Sequence, residues 1–95
     1  MKTKRKGNRN EHKSMRRHVA AGAYCLRAGG SLGIFDFIAV YPTKVLFVQV
    51  KSNRWPSRAE VQAIYEFRTP HYGRKILERW DDYARAPLMR EVPER

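Results

Sequence analysis

Two stretches decide how this chain folds: GSLGIFDFIAV at residues 30–40 and VLFVQVKS at residues 45–52. Each is apolar enough for a buried strand, yet Asp36 interrupts the first, and Gln49 and Lys51 interrupt the second. Because successive side chains of a strand alternate between its faces, Gln49 and Lys51 point the same way. A buried carboxylate, amide and ammonium are costly unless they bind each other, a metal or a substrate. The pattern therefore predicts an active site built on a sheet.

A hairpin between the two stretches would bring these polar residues together. The connection at residues 41–43 has the length of a hairpin loop. Counting back from it, Asp36 falls opposite Val48 or Gln49. The near-continuous apolar character of both stretches also predicts a sheet that is covered on both faces.

The rest of the chain predicts further strands and two helices. In chain order, the predicted elements are a helix at 8–22, strands at 23–27, 34–40 and 44–51, a helix from a Ser57–Glu60 capping box to about Phe67, and strands at 74–80 and 88–92. The order α-β-β-β-α-β(-β) predicts an α/β domain whose small mixed central sheet is flanked by helices.

The first predicted helix carries one of the candidate site residues. Met15 and Val19 mark its apolar stripe, and Glu11 lies on the same line, which predicts that Glu11 faces inward near one end of the sheet. The alternative is a carboxylate placed there by the helix dipole. Residues 1–7 are predicted to form a basic flexible arm, and residues 8–95 a single domain.

The formal net charge of +11 is unevenly distributed along the chain. Residues 1–59 hold 13 lysines and arginines but only two carboxylates, Glu11 and Asp36, whereas residues 60–95 hold seven of each charge. The basic half predicts a surface that faces a polyanion such as DNA. The candidate phosphate-binding residues are Lys4, Arg5, Lys6, Arg9, Arg16, Arg17, Arg27 and Arg54. Arg16 and Arg17 fit a solvated helix face equally well.

Length and composition exclude several classes of protein. No apolar run approaches the roughly 20 residues of a transmembrane helix, and the basic N-terminus lacks a signal peptide's apolar region. The single cysteine, Cys25, excludes an internal disulfide and fits a reducing compartment. We therefore expect a cytoplasmic protein without a membrane partner. One cysteine and three scattered histidines also make a poor zinc site.

The polar residues of the predicted sheet suit a hard divalent cation. Oxygen ligands favour Mg²⁺ or Mn²⁺, and the candidate ligands are Asp36, the side-chain oxygen of Gln49, the Val50 carbonyl and Glu11. Lys51 would then lie near the attacking water or the charge that develops on a phosphate. This set predicts metal-assisted hydrolysis of a phosphodiester.

The spacing of these residues resembles a known family motif. Asp36, followed 13 positions later by Gln49-Val50-Lys51, resembles the motif of the PD-(D/E)XK nucleases. The upstream Glu11, the Gly30-Ser31 turn and the small size are similar to the archaeal-type Holliday junction resolvases and their phage relatives. The resemblance spans roughly residues 8–68.

The resemblance implies a restriction-endonuclease-like fold and a role for each matching residue. Asp36 would be the principal metal ligand, and Gln49 would occupy the second acidic position. Lys51 would be the catalytic lysine, Glu11 the helix-borne carboxylate, and Ser31 a site residue near the scissile phosphate.

The chain departs from the family pattern at two positions. Phe35 replaces the proline before Asp36, and Gln49 replaces an aspartate or glutamate, which weakens the attraction for a cation. The implied function is a Mg²⁺- or Mn²⁺-dependent endonuclease that cuts four-way DNA junctions as a homodimer, because two cuts require two sites. The alternatives are a related nuclease that acts on other branched or foreign DNA, and a non-catalytic module that binds nucleic acid.

Overall fold

The computed structural model describes the backbone of residues 2–29 and 33–95 and the side chains from residue 9 onward within these ranges. Its elements are α1 (Lys2–Ala20), β1 (Tyr24–Arg27), β2 (Phe37–Val40), β3 (Val45–Ser52), α2 (Arg58–Glu66), β4 (Gly73–Trp80) and β5 (Leu88–Val92). This order confirms the predicted one. Neither of the described helices is both long enough and apolar enough to cross a membrane.

The strands form one mixed sheet in the order β1-β2-β3-β4-β5. The β3–β4 pair is parallel because α2 crosses over between the two strands, and the other pairs are antiparallel. In the β2–β3 register Phe37 pairs with Val48, so that Asp36, one residue earlier, comes opposite Gln49. The predicted mixed sheet and its register are confirmed.

Each face of the sheet packs into its own core. Val48 and Val50 of β3 face the core beneath α1, whereas Phe47 of the same strand packs with Ile64 of α2 on the opposite face. Gln49 and Lys51 alternate with the residues beneath α1 and therefore share the α2 face. This placement brings the polar end of β3 beside the first turn of α2.

The buried side of α1 is more polar than its sequence pattern predicts. Asn10, Ser14 and His18 are buried along one line of the helix, whereas Val19, predicted to lie on the apolar stripe, is exposed. Hydrogen bonds to the sheet replace part of the apolar packing: the indole N–H of Trp80 donates to Ser14 Oγ at 2.5 Å.

Polar partners also surround His18 at the last turn of α1. Its Nδ1 lies 2.6 Å from Tyr41 Oη, and its Nε2 lies 2.7 Å from Glu78 Oε2. Four residues after His18 the chain leaves the helix through Gly22, whose φ of 104° suits glycine and confirms the predicted helix stop.

Two predicted boundaries are wrong. The helix α1 begins at Lys2, so residues 2–7, predicted to form a separate arm, belong to the helix. The strand β2 begins at Phe37 rather than at residue 34, and residues 33–36 form turns and bends. The chain bends there because the Asp36 side chain turns toward β3 and accepts a backbone hydrogen bond from it.

Candidate active site

Asp36 lies at the entrance to β2, where three hydrogen bonds fix its position. Its backbone N–H donates to Val48 O at 2.8 Å, and its carbonyl accepts from the Ala28 N–H at 3.1 Å. Its carboxylate Oδ2 accepts from the Val50 N–H at 2.6 Å. The carboxylate is therefore held directly against the polar end of β3.

Burial dominates the electrostatics of Asp36 and raises the pKa of its carboxyl group above the ordinary 3.8. The hydrogen bond from Val50 and the positive charges of Lys51 and Arg27 oppose this rise, and the negative charge of Glu60 adds to it. A desolvated carboxylate whose pKa is raised lacks a full complement of stabilising charge. Such a group gains from a bound cation.

Gln49 presents a polar atom that has no partner among the described residues. The side chain is buried, and its Nε2 donates to the Ile34 carbonyl at 3.0 Å, which fixes the orientation of the amide. The Oε1 atom is buried with no hydrogen-bond partner among the described residues. An unsatisfied buried oxygen costs about 1–3 kcal/mol. Amide oxygens are ligands of hard divalent cations, so this atom fits a metal site.

Glu11 approaches the site from α1. Its Oε1 lies 3.3 Å from Nη1 of Arg27, at the end of β1. Burial raises the pKa of Glu11, the negative charge of Asp36 raises it further, and Arg27 opposes both. The two carboxylates thus repel each other across the end of the sheet.

Lys51 meets a carboxylate that the sequence analysis treats only as a helix cap. Its Nζ lies 2.7 Å from Oε2 of Glu60, in the first turn of α2. The predicted capping box is present: Ser57 Oγ accepts from the Glu60 N–H at 3.1 Å, and Glu60 Oε1 accepts from the Ser57 N–H at 3.0 Å. The hydrogen bonds from Lys51 and Ser57 lower the pKa of Glu60 to about 2. Glu60 also lines a pocket of about 380 Å³ together with Gln49 and Gly33.

The residues present fit a divalent cation through a mixed set of oxygen donors. Among the described residues, no group of three or more His, Cys, Asp and Glu side chains could hold a metal ion. The candidate donors are instead two carboxylates, the Gln49 side-chain oxygen and the backbone at Val50. Oxygen ligands of these kinds suit Mg²⁺ and Mn²⁺.

The other predicted site residues lie in different places. Ser31 falls outside the described residues, as do the side chains of Lys4, Arg5 and Lys6. Arg27 contacts Glu11 and also His12, from its Nη2 to Nε2 at 3.0 Å. A phosphate-binding role for Arg27 stays a prediction.

Several exposed basic side chains lie around this end of the molecule. Arg54 Nη1 is 4.0 Å from Glu60 Oε1, which places it beside the site. Arg9 lines a cleft between α1 and the loop that follows β4. Arg16 and Arg17 line a second such cleft, which also contains Lys13 and Arg85, two cations that the sequence analysis leaves out.

The part Glu60 plays in the site is the main feature that sequence reasoning misses. Its only signal in the sequence is the capping box, which places a glutamate in the first helical turn after β3. The contact with Lys51 depends on the angle at which α2 returns over the sheet, and no local pattern encodes that angle.

No family model and no curated protein sequence matches the chain. Among solved structures, the chain is similar to that of Hjc from Archaeoglobus fulgidus, a Holliday junction resolvase from an archaeal hyperthermophile. The TM-score is 0.75 at 20% sequence identity, and the match covers 90% of this chain and 77% of that one. At this identity the likeness establishes the fold, and it confirms the fold class that the motif resemblance implies.

Proposed function

We propose that this protein is a divalent-metal-dependent endonuclease that cuts branched DNA, and specifically a Holliday junction resolvase. The observation that carries the proposal is the meeting of three groups at one end of the sheet: Asp36, Lys51 and the Gln49 oxygen, which has no partner among the described residues. The fold shared with the Archaeoglobus resolvase supports the choice of substrate. The basic half of the chain supports DNA as the partner.

Each residue of the site has a distinct task in phosphodiester hydrolysis. Asp36, the Gln49 oxygen and Glu11 would hold Mg²⁺ or Mn²⁺, with the Val50 carbonyl as a further candidate ligand. Such an ion, when bound, activates water and neutralises charge on the scissile phosphate. Lys51 donates hydrogen bonds to the phosphate oxygens, where negative charge develops. Ser31 is proposed to contact the same phosphate.

The basic side chains would position the DNA without reading its sequence. Arginine and lysine side chains bind phosphate oxygens, and these contacts set the register of the DNA on the protein. Two symmetric cuts across a junction need two sites, and one domain of this size offers one, so we propose a homodimer. A DNA substrate also agrees with the cytoplasmic location expected from the single cysteine.

Cleavage of a synthetic four-way junction, with and without Mg²⁺ or Mn²⁺, tests the proposal. We expect metal-dependent cutting of the junction and much weaker cutting of a linear duplex of the same sequence. A protein that cuts both DNAs equally acts on another substrate class. A protein that binds the junction and never cuts it is a binding module, the alternative that the neutral Gln49 favours.

Asp36→Asn is the sharpest variant for this test. The amide keeps an oxygen that accepts the Val50 N–H but loses the negative charge, so we expect cleavage to fall below detection while junction binding is retained.

Because burial raises the pKa of Asp36, its charged form destabilises the fold. Asp36→Asn should therefore melt at a higher temperature than the wild type at pH 7, and the difference should shrink as the pH falls toward 3.8. Loss of cleavage with a lower melting temperature would indicate misfolding instead.

A further inference from the structure

Tyr83, in the loop between β4 and β5, combines full exposure with a strained backbone. Its relative accessibility is 102%, so its ring packs against none of the described residues. Its φ is 66°, in the left-handed region that side chains other than glycine and asparagine rarely adopt. The other non-glycine residue with positive φ in the described part of the chain is Asn53, at 63°. Strained residues of this kind concentrate at functional sites.

The segments that carry the two strained residues are hydrogen-bonded to each other at the catalytic end of the sheet. The Asn53 side chain donates to Asp82 Oδ1 at 3.1 Å and accepts from the Asp82 N–H at 2.8 Å. Next to it, Arg79 Nε donates to Asp81 Oδ1 at 2.8 Å. Because Asn53 follows Lys51 by two residues, these bonds hold the Tyr83 loop at the catalytic end of the sheet.

Two clefts separate this loop from α1, and cations line both. One, of about 380 Å³, is lined by Arg9, Asn10, Lys13, Asp81, Asp82 and Tyr83. The other, of about 350 Å³, is lined by the cations Lys13, Arg16, Arg17 and Arg85 above the Trp80 ring and two alanines. Lys13 borders both clefts, so the cations of the two clefts adjoin each other. The cleft beside Tyr83 also holds two carboxylates: Asp81 is paired with Arg79, and Asp82 accepts a hydrogen bond from Asn53.

We propose that Tyr83 is a base-stacking residue that binds an unstacked nucleobase of branched DNA, while the cations of the α1 clefts bind the flanking phosphates. The proposal rests on the proposed function. An exposed aromatic ring on a hydrogen-bonded loop, beside basic side chains, is the arrangement with which proteins bind accessible bases. Base faces are covered inside a linear duplex and become accessible at a branch point. The ring therefore distinguishes branched from linear DNA.

Fluorescence of 2-aminopurine, placed at the branch point of a four-way junction in EDTA, tests this contact. The variants are Tyr83→Asn, which suits positive φ and removes the ring, and Tyr83→Phe, which keeps the ring. Tyr72→Asn is the matched control, since Tyr72 is 50% exposed and lies just before β4, at the opposite end of the sheet. Junction and duplex affinities are measured for the wild type and every variant, and circular dichroism checks their folding.

We expect wild type, Tyr83→Phe and Tyr72→Asn to change the fluorescence alike. Tyr83→Asn should lose the change and bind the junction about tenfold more weakly, within the range measured for loss of one base stack. Duplex affinity should be equal for all. Because the Tyr83 ring packs against none of the described residues, Tyr83→Asn should fold normally, and Tyr83→Gly provides a second ring-free variant.

The outcomes separate this proposal from the proposed function. If Tyr83→Asn and Tyr83→Gly match the wild type in fluorescence and affinity while the wild type cuts junctions, the stacking proposal is wrong and the function stands. If Tyr83→Phe also loses the signal, a hydrogen bond from the hydroxyl replaces stacking. If only the ring-free variants lose the signal but the wild type never cuts, stacking holds and the catalytic proposal fails. A wild type that does not bind junctions overturns both.

Discussion

Gln49 places a neutral oxygen where the related motif places a charged one. Its Nε2 is engaged by the Ile34 carbonyl, which leaves Oε1 buried and without a partner among the described residues. A neutral amide attracts a divalent cation less strongly than a carboxylate does. The net charge of the donor set therefore depends on Asp36 and Glu11, whose mutual repulsion a bound cation would relieve.

Gln49→Glu measures how much metal affinity the site loses by having a neutral amide in place of a carboxylate. We expect the added charge to tighten Mn²⁺ binding by about tenfold, or about 1.4 kcal/mol, in isothermal titration calorimetry without DNA. Without metal, the same charge beside Asp36 should lower the melting temperature, because a second carboxylate adds like-charge repulsion.

Gln62→Glu is the matched control for this prediction. Gln62 is exposed on α2, where its side chain donates to Glu66 at 2.7 Å, so the same change of charge is made away from the site. If Gln49→Glu binds Mn²⁺ no more tightly than Gln62→Glu, the Gln49 oxygen does not ligate the ion.

At the scale of elements, the first turn of α2 joins the helix to the catalytic end of β3. Glu60 serves both elements, since its Oε1 accepts the Ser57 N–H and its Oε2 contacts the Lys51 ammonium. The capping box fixes the carboxylate, and the carboxylate fixes the ammonium. Helix capping and the placement of Lys51 are thus coupled through one side chain.

Glu60→Gln separates the two tasks, because glutamine can still complete the capping box but carries no charge for Lys51. The pKa of Glu60 is about 2 in the folded protein and about 4.5 in the unfolded chain. Its ion pair therefore stabilises the fold fully above pH 4.5, and this stability is lost as the pH falls toward 2. Since the side chain is 34% exposed, we expect a loss of about 1 kcal/mol at pH 7 in urea unfolding.

The same measurement near pH 2.5 checks the sign, since the difference between variant and wild type should nearly vanish there. Glu66→Gln is the control, as Glu66 pairs with Arg95 at 3.0 Å on the exposed end of the same helix. A loss at pH 7 that persists unchanged in acid would mean that the cap, not the ion pair, is damaged.

Local signals explain which elements the sequence predicts well. The capping box sets the start of α2 at Arg58, and the hairpin loop sets the register that brings Asp36 beside Gln49. Features that depend on tertiary packing escape prediction. Ser14 and His18 are polar yet buried, because their partners Trp80 and Glu78 come from a distant strand.

The same distinction between local signals and tertiary packing applies to the candidate site. The positions of Asp36, Gln49 and Lys51 follow from strand alternation and one hairpin, and both can be read from spacing. The contact between Glu60 and Lys51 depends on the angle at which α2 crosses the sheet, and the strained loop at Tyr83 follows β4 after that strand returns to the catalytic end.

At the scale of the whole molecule, the basic side chains are arranged differently at the two ends of the sheet. The catalytic end holds Arg9, Lys13 and Arg54 near the candidate site. Two exposed arginines at the opposite end are paired with carboxylates: Arg74 with Glu91, and Arg95 with Glu66. A polyanion should therefore bind at the catalytic end and release counterions from it.

The salt dependence of junction binding tests this difference between the two ends, through a variant that lacks the four cations of residues 2–7. Changing Lys2, Lys4, Arg5 and Lys6 to glutamine should reduce the slope of log affinity against log salt by up to about 3.6, because each phosphate contact contributes about 0.9. Fluorescence anisotropy with a labelled junction between about 50 and 200 mM salt measures the slope.

Neutralising the opposite end with Arg68→Gln, Arg74→Gln and Arg95→Gln removes three cations and should leave the slope nearly unchanged. Equal reductions for the two sets would mean that affinity follows net charge alone, and that the catalytic end has no preferred share in binding.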